Sequence, residues 1–206
     1  MEQLVKAGKD LIQAEKVAII LHGRGGNASG MKGLIEVLSF PDFAFLIPQA
    51  PGNTWYPYGF MAEESENEPY LSQSLEQIHS LVQGLKEDGK DLSNLYFIGF
   101  SQGACLALEY IARYPARYGG ACAFTGGLIG KSVSAEKYPG DLKGTPVFIG
   151  ASEKDFHVPM ARIQASGSIL SGMQADVKIL GFPDGMHTIR EEEIAAANDF
   201  IFKKTP

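Results

Sequence analysis

Five residues carry the strongest chemical signal in the chain: Gly99-Phe100-Ser101-Gln102-Gly103, a G-x-S-x-G pattern that joins an apolar run to a segment of helical spacing. A strand that becomes a helix within five residues needs a tight bend, and flanking glycines remove the side chains that would collide in it. Such a bend lifts the Ser101 hydroxyl clear and sets it beside a helix start, whose N–H groups favour developing negative charge. Serine is also a preferred helix N-cap, so the pentapeptide by itself leaves a purely structural role open.

A serine hydroxyl is a poor nucleophile near neutral pH and needs a base, oriented by a third group, to take its proton. Four histidines are present. His79 falls within a helical pattern and reads as a surface residue, whereas His22 reads as part of the "LHGRGG" turn. His157, in "KDFHVP", is not dismissed by its position. His187, in "GFPDGMHTIR", lies on a Gly- and Pro-containing loop between the last apolar run and the last helical segment, where a base reaching Ser101 belongs. Asp155 is the preferred acid, because it follows the apolar run ending at Gly150 and precedes Val158-Pro159; Glu153 and Asp184 rank below it. The resulting order is nucleophile, acid, histidine. Two backbone donors for an oxyanion are expected, the N–H of Gln102 and that of Arg24 in the glycine-rich turn, with the Arg24 side chain placed to reach a polar substrate group. The same turn also spells G-x-G-x-x-A, as in dinucleotide-binding folds. That pattern asks for an acidic residue after the next strand, where Pro48 and Gln49 stand instead.

These residues must be held by an alternation of two patterns. Apolar runs occupy 17–21, 43–47, 95–100, 120–124, 146–150 and 176–180; most lack period-two alternation and so predict strands buried on both faces. Segments of helical spacing fall between them, at 29–39, 71–86, 102–114, 159–172 and 188–203. This order predicts an α/β fold, a mostly parallel sheet of about six or seven strands with helices on both faces, and ligands in such a sheet gather at the carboxyl ends of the strands. Every chemical candidate lies at that edge. Residues 51–69 and 126–144 read as surface excursions from one domain spanning 1–206.

Composition agrees with a globular domain: 206 residues, 45% hydrophobic and 20% charged. A net charge of -6 without a long basic run argues against nucleic acid or anionic lipid as partners. Cys105 and Cys122 are too few for a disulfide scaffold and lack metal-site spacing, so both read as core thiols, and no metal is expected. No signal-like leader and no apolar stretch of about 18 residues is seen, which makes the cytoplasm the expected location and integral membrane association unexpected.

Taken together, "LHGRGG", "PQAPGNTWYP", "GFSQGACLAL", "DFHVP" and "GMHTI" resemble the phospholipase/carboxylesterase family of α/β-hydrolases, which includes bacterial carboxylesterases and acyl-protein thioesterases. The resemblance spans nearly the whole chain. It implies a compact, cofactor-free serine hydrolase without a separate cap domain, acting on small-molecule carboxylic ester, thioester or lysophospholipid bonds, with Ser101, Asp155 and His187 as its triad. Many members place the acid three residues after a strand-ending glycine, whereas Asp155 comes five after Gly150. Dienelactone hydrolases are similar in size and residue order, but their nucleophile is usually cysteine. A noncatalytic relative that binds a small molecule or protein is the alternative of another class, and it predicts a broken triad. Oligomeric state is left open, a homodimer included.

Substrate preference has only loop composition to rest on. Residues 53–61 concentrate Trp55, Tyr56, Tyr58, Phe60 and Met61, which read either as a wall of an acyl pocket or as rings that pack the loop onto the domain. Phe156, Met160 and Met186 flank the acid and the base and complete an apolar cleft in this reading; Trp55, Tyr56, Phe156 and Met186 are the expected substrate contacts.

Overall fold

A computed structural model describes residues 4–38, 40 and 42–202. The expected ends of two helices, at 39 and 203, lie outside the described residues. Seven strands form one sheet: β1 (Leu4–Gly8), β2 (Lys16–Leu21), β3 (Phe43–Pro48), β4 (Leu95–Phe100), β5 (Gly120–Phe124), β6 (Pro146–Ser152) and β7 (Asp176–Phe182). Their spatial order is β1-β3-β2-β4-β5-β6-β7, with β1 antiparallel to β3 and the other pairs parallel. The helices are α1 (Lys32–Val37), α2 (Glu64–Asn67), α3 (Tyr70–Glu87), α4 (Gln102–Arg113), α5 (Met160–Gly172) and α6 (Glu191–Ala197), the last running on into a wider turn over Asn198–Phe202.

Burial on both faces explains the unbroken apolar runs. Along β2, Val17, Ile19 and Leu21 enter a core shared with α3, α4 and α5, while Ala18 and Ile20 enter a second core with Leu34 of α1 and Ala197 of α6. All five are fully buried, so polar alternation has no face on which to appear. β7 departs from this pattern: as an edge strand it consists of exposed and half-buried residues and buries none fully. No separate cap domain is present among the described residues.

The chain leaves β2 toward β3 on one side and later toward β4 on the other, so the strand order reverses between β2 and β4. A crevice opens at the carboxyl ends of strands at such a reversal. Arg24 follows β2, Ser101 follows β4, Asp155 follows β6 and His187 follows β7, which brings distant stretches of sequence to one rim.

α4 is buried from Gln102 through Ala112, more than the single apolar stripe expected from its sequence. Its outer side is covered by the 51–69 and 126–144 excursions, which are tied to it electrostatically. The fully buried Glu109 carboxylate accepts from Arg113 Nε (2.7 Å), the Ile129 N–H (2.8 Å) and the Tyr138 hydroxyl (2.9 Å), and it pairs with Lys137 Nζ at 3.1 Å. Arg113 and Lys137 also pair with Glu64 of α2. A buried charge is tolerable only with such partners.

Candidate active site

Ser101 has φ 53° and ψ -118°, the left-handed backbone that a strand-to-helix bend imposes on a residue with a side chain. Its hydroxyl makes no helix-capping hydrogen bond. The glycines flanking it are sterically required: a methyl group on Gly99 would overlap the Gly103 carbonyl, and one on Gly103 would overlap the Leu21 carbonyl of β2. Their absence lets α4 start directly against β2 and β4.

The Ser101 hydroxyl lies 2.8 Å from Nε2 of His187, and Nδ1 of the same ring lies 2.7 Å from Oδ2 of Asp155. A carboxylate only accepts, so Nδ1 carries the proton and Nε2 is left to accept from the serine. The other carboxylate oxygen, Oδ1, accepts from the His157 N–H at 2.7 Å and the Val158 N–H at 3.2 Å. With its side chain 1% exposed, Asp155 is held from both oxygens. Its place on the chain is also explained: β6 runs two residues past Gly150 to Ser152, so Asp155 is the third residue after the strand. Gly150 is interior to β6, where a side chain would strike Glu193 of α6.

Glu153 and Asp184 take other parts. Asp184 accepts from Arg190 (2.5 Å), the Ser152 hydroxyl (3.0 Å) and the Met186 N–H (2.9 Å), which braces the loop that carries His187. The Met186 hydrogen bond, helped by the Ser152 and Arg190 contacts, holds its carboxyl below the usual carboxylate range against the opposing effect of desolvation. Glu153 is exposed.

The turn after β2 sits against the serine: a methyl group built on Gly23 would lie 3.4 Å from Ser101 Cβ. In that turn the Gly25 N–H donates to Asn53 O (2.7 Å) and the Gly26 N–H to Gly23 O (3.0 Å). The Arg24 N–H, and the Gln102 N–H that opens α4, donate to no acceptor among the described residues. The Arg24 side chain, by contrast, is occupied. Its guanidinium donates to Thr54 Oγ1 (3.0 Å), Pro57 O (2.8 Å) and Tyr58 O (2.5 Å), so it fastens the 54–58 loop while keeping its charge at the rim.

The Gln102 side chain fastens the same loop from beneath, a role the sequence reading did not foresee. Its Oε1 accepts from the Trp55 N–H (3.0 Å) and Thr54 Oγ1 (3.2 Å), and its Nε2 donates to Tyr56 O (2.8 Å). His22 is a further support. Its Nε2 accepts from the Ala50 N–H (3.1 Å), which leaves Nδ1 to donate to Gly23 O (2.8 Å). Burial, only partly offset by that bond to Gly23, lowers its pKa and keeps the ring neutral. His79 is half-buried, stacked on Tyr114 at 4.3 Å, and bonded to the Tyr110 hydroxyl.

A pocket of about 340 Å³ opens at the serine, lined by Arg24, Tyr56, Phe60, Ser101, Gln102, Cys105, His157, Val158 and His187. Of the expected substrate contacts, Tyr56 is in this wall. Trp55 is not: its indole donates to His22 O at 2.8 Å, and it faces a separate cavity of about 430 Å³ beside α3. An aromatic cluster in sequence does not reveal which rings face a ligand and which brace the loop. Phe156 and Met186 stand outside the pocket lining, 92% and 56% exposed. Cys105 was expected in the core and is buried, but one side of it borders the pocket; burial pushes its thiol up to about 12, so it stays protonated near neutrality. Among the described residues no group of His, Cys, Asp and Glu is placed to hold a metal, and no helix is long and apolar enough to cross a membrane.

A mostly parallel sheet with helices on both faces, and a serine on the bend after its central strand, define an α/β-hydrolase. The chain belongs to the Phospholipase/Carboxylesterase family, which it matches over residues 5–205, and it is a carboxylesterase-type hydrolase. The structure is similar to that of a phospholipase/carboxylesterase from Dyadobacter fermentans, with a TM-score of 0.94 and 43% identity over 98% of this chain and 96% of that one. Acyl-protein thioesterase 1 of Kluyveromyces lactis is 31% identical over 71% of this chain and 72% of its own length. A probable carboxylesterase of Oryza sativa subsp. japonica is 27% identical over 76% of this chain, and the chain spans 63% of that relative's length.

Proposed function

We propose that the chain acts as a single-domain serine esterase in the cytoplasm, with Ser101 as nucleophile, His187 as general base and then acid, and Asp155 as the group that orients the imidazole. The observation that carries this reading is the unbroken hydrogen-bonded sequence from Ser101 Oγ to His187 (2.8 Å) to Asp155 (2.7 Å) at the mouth of a pocket. As Ser101 Oγ attacks the ester carbonyl carbon, His187 Nε2 takes the hydroxyl proton, and the Asp155 carboxylate stabilises the imidazolium. The carbonyl oxygen becomes an oxyanion facing the N–H groups of Arg24 and Gln102. Collapse of this intermediate expels the alcohol, which takes the proton from Nε2 and leaves Ser101 acylated. Water then repeats the sequence and releases the acid. The reaction draws nucleophile, base and donors from the chain and calls for no cofactor.

Tyr56, Phe60, Cys105 and Val158 give the pocket an apolar side, which suits a short or medium uncharged acyl group. Thioesters belong in the substrate panel because a thiolate leaves through the same intermediate. The test is turnover of p-nitrophenyl acetate and butyrate together with labelling of Ser101 by a fluorophosphonate. Ser101→Ala is expected to lower kcat by roughly 10³-fold or more and to abolish labelling, with the melting transition nearly unchanged. Retained turnover in that variant overturns the assignment.

A further inference from the structure

We propose that His157 is a specificity-determining residue that binds the alcohol portion of the substrate, and that this portion carries a carboxylate close to the ester oxygen. The inference rests on the triad reading above, because that reading fixes which side of Ser101 the leaving group occupies. The leaving oxygen must take its proton from His187 Nε2, so the alcohol lies toward the β6 and β7 end of the sheet, with the Arg24 amide on the opposite side of the serine. His157 is on the alcohol side. Its ring centroid is 5.3 Å from that of His187, the two rings meet edge to face, and both line the pocket.

Two features distinguish His157 from an ordinary loop histidine. Its backbone is fixed, because its N–H donates to Asp155 Oδ1 at 2.7 Å and the next residue, Val158, is buried and bonded to the same oxygen. Its imidazole, however, makes no hydrogen bond to any described residue and is exposed at the pocket mouth. A ring with unused donor capacity on a fixed backbone is suited to ligand recognition, since the loop that carries it needs no further ordering on binding.

The charge around it selects the kind of ligand. The protein as a whole carries -6, yet the pocket lining contains no Asp or Glu and its one charged side chain is the Arg24 guanidinium. A pocket of this sign in an acidic protein draws in an anion and orients it. Tyr56, Phe60 and Cys105 offer the acyl group an apolar lining, so the anion belongs on the alcohol. The chemical class is thus a short-chain acyl ester of a 2-hydroxy acid, cleaved by water to the fatty acid and the free hydroxy acid.

The test compares O-butyryl glycolate with O-butyryl glycolamide, nearly isosteric esters that differ in the charge of the alcohol portion. The wild-type enzyme is expected to prefer the glycolate ester about tenfold in kcat/KM, mainly through KM, and this preference is expected to fall below about twofold in both His157→Ala and His157→Gln. A wild-type preference below twofold overturns the proposal, as does an unchanged preference in whichever variant folds. p-Nitrophenyl butyrate separates the two readings: turnover of it without a glycolate preference sinks only the role of His157, and absence of turnover with all three esters sinks the esterase assignment itself.

Discussion

Gln102 illustrates how one residue joins chemistry to architecture. Its N–H opens α4 and meets no acceptor among the described residues, while its side chain makes three hydrogen bonds to the 54–56 segment, two accepted and one donated. Removing the amide in Gln102→Ala leaves the buried Trp55 N–H unpaired and the Tyr56 carbonyl with only the Thr54 hydroxyl as partner. A loss of about 1–3 kcal/mol in stability is expected from urea unfolding. KM should rise more than kcat falls, because the variant keeps the backbone donor but loosens the Tyr56 wall. A drop confined to kcat would contradict this division of roles. The position of the N–H was legible in the G-x-S-x-G pattern, since the residue after the serine opens the helix whatever its side chain is. The side-chain half was not legible, because its partners are 46–48 positions away and two of the three are backbone groups, which carry no sequence identity. Trp55 and the Arg24 side chain follow the same rule: their polar partners are mostly carbonyl oxygens, so composition marked them as candidates without saying which way they faced.

At the scale of elements, the position of the site depends on how closely α4 approaches β2. Gly103 sets that distance, and Gly103→Ala would drive a methyl group into the Leu21 and His22 carbonyls. The expected cost is about 1–3 kcal/mol or more, with loss of turnover because the Gln102 and Arg24 amides are forced apart. Gly172→Ala at the end of α5 is the control: nothing lies within 4 Å of the added methyl, and stability should be unchanged or rise by up to about 1 kcal/mol. Comparable destabilisation in the two variants, read from thermal melts, would rule out steric contact as the cause. Elements buried on both faces, β2 to β6, were readable as apolar runs because burial imposes the same demand on every residue. β1 and α2 were not, for opposite reasons. The exposed Lys6 interrupts the short β1, whose pairing comes from β3 alone, and α2 is a single turn whose sequence, Glu-Ser-Glu-Asn, has no apolar face to read. The end of β6 was misplaced because Gly150 resembles a terminator; its role is to admit Glu193.

The molecule as a whole joins a neutral buried imidazole to a rim of functional loops, and this makes its stability depend on pH. His22 is 1% exposed, and every hydrogen bond of its ring is to a group without charge: Gly23 O, the Ala50 N–H and the Gln49 amide. Desolvation by burial lowers its folded pKa, only partly offset by the Gly23 bond, while in the unfolded chain it titrates near 6.5. Below that value the unfolded state binds a proton that the folded state refuses. Stability is therefore fully present above about pH 6.5 and declines as pH falls from there toward the folded pKa. One proton limits this contribution to about 1.4 kcal/mol per pH unit. Glu64 acts in a lower window. Its desolvation is outweighed by hydrogen bonds and ion pairs from Lys137 and Arg113, so its folded pKa lies below 4.5, and its contribution, present above that value, is lost as pH falls further. Acid should thus weaken the protein in two stages, the first at the His22 support under the active-site rim and the second at the latch between the excursions and α4. Urea midpoints measured from pH 7.5 to 5.0 should fall in the wild type. In His22→Asn the midpoint at pH 7.5 should already be lower and the slope between pH 6.5 and 5.0 shallower, whereas parallel slopes in the two proteins would show that the proton is taken up elsewhere.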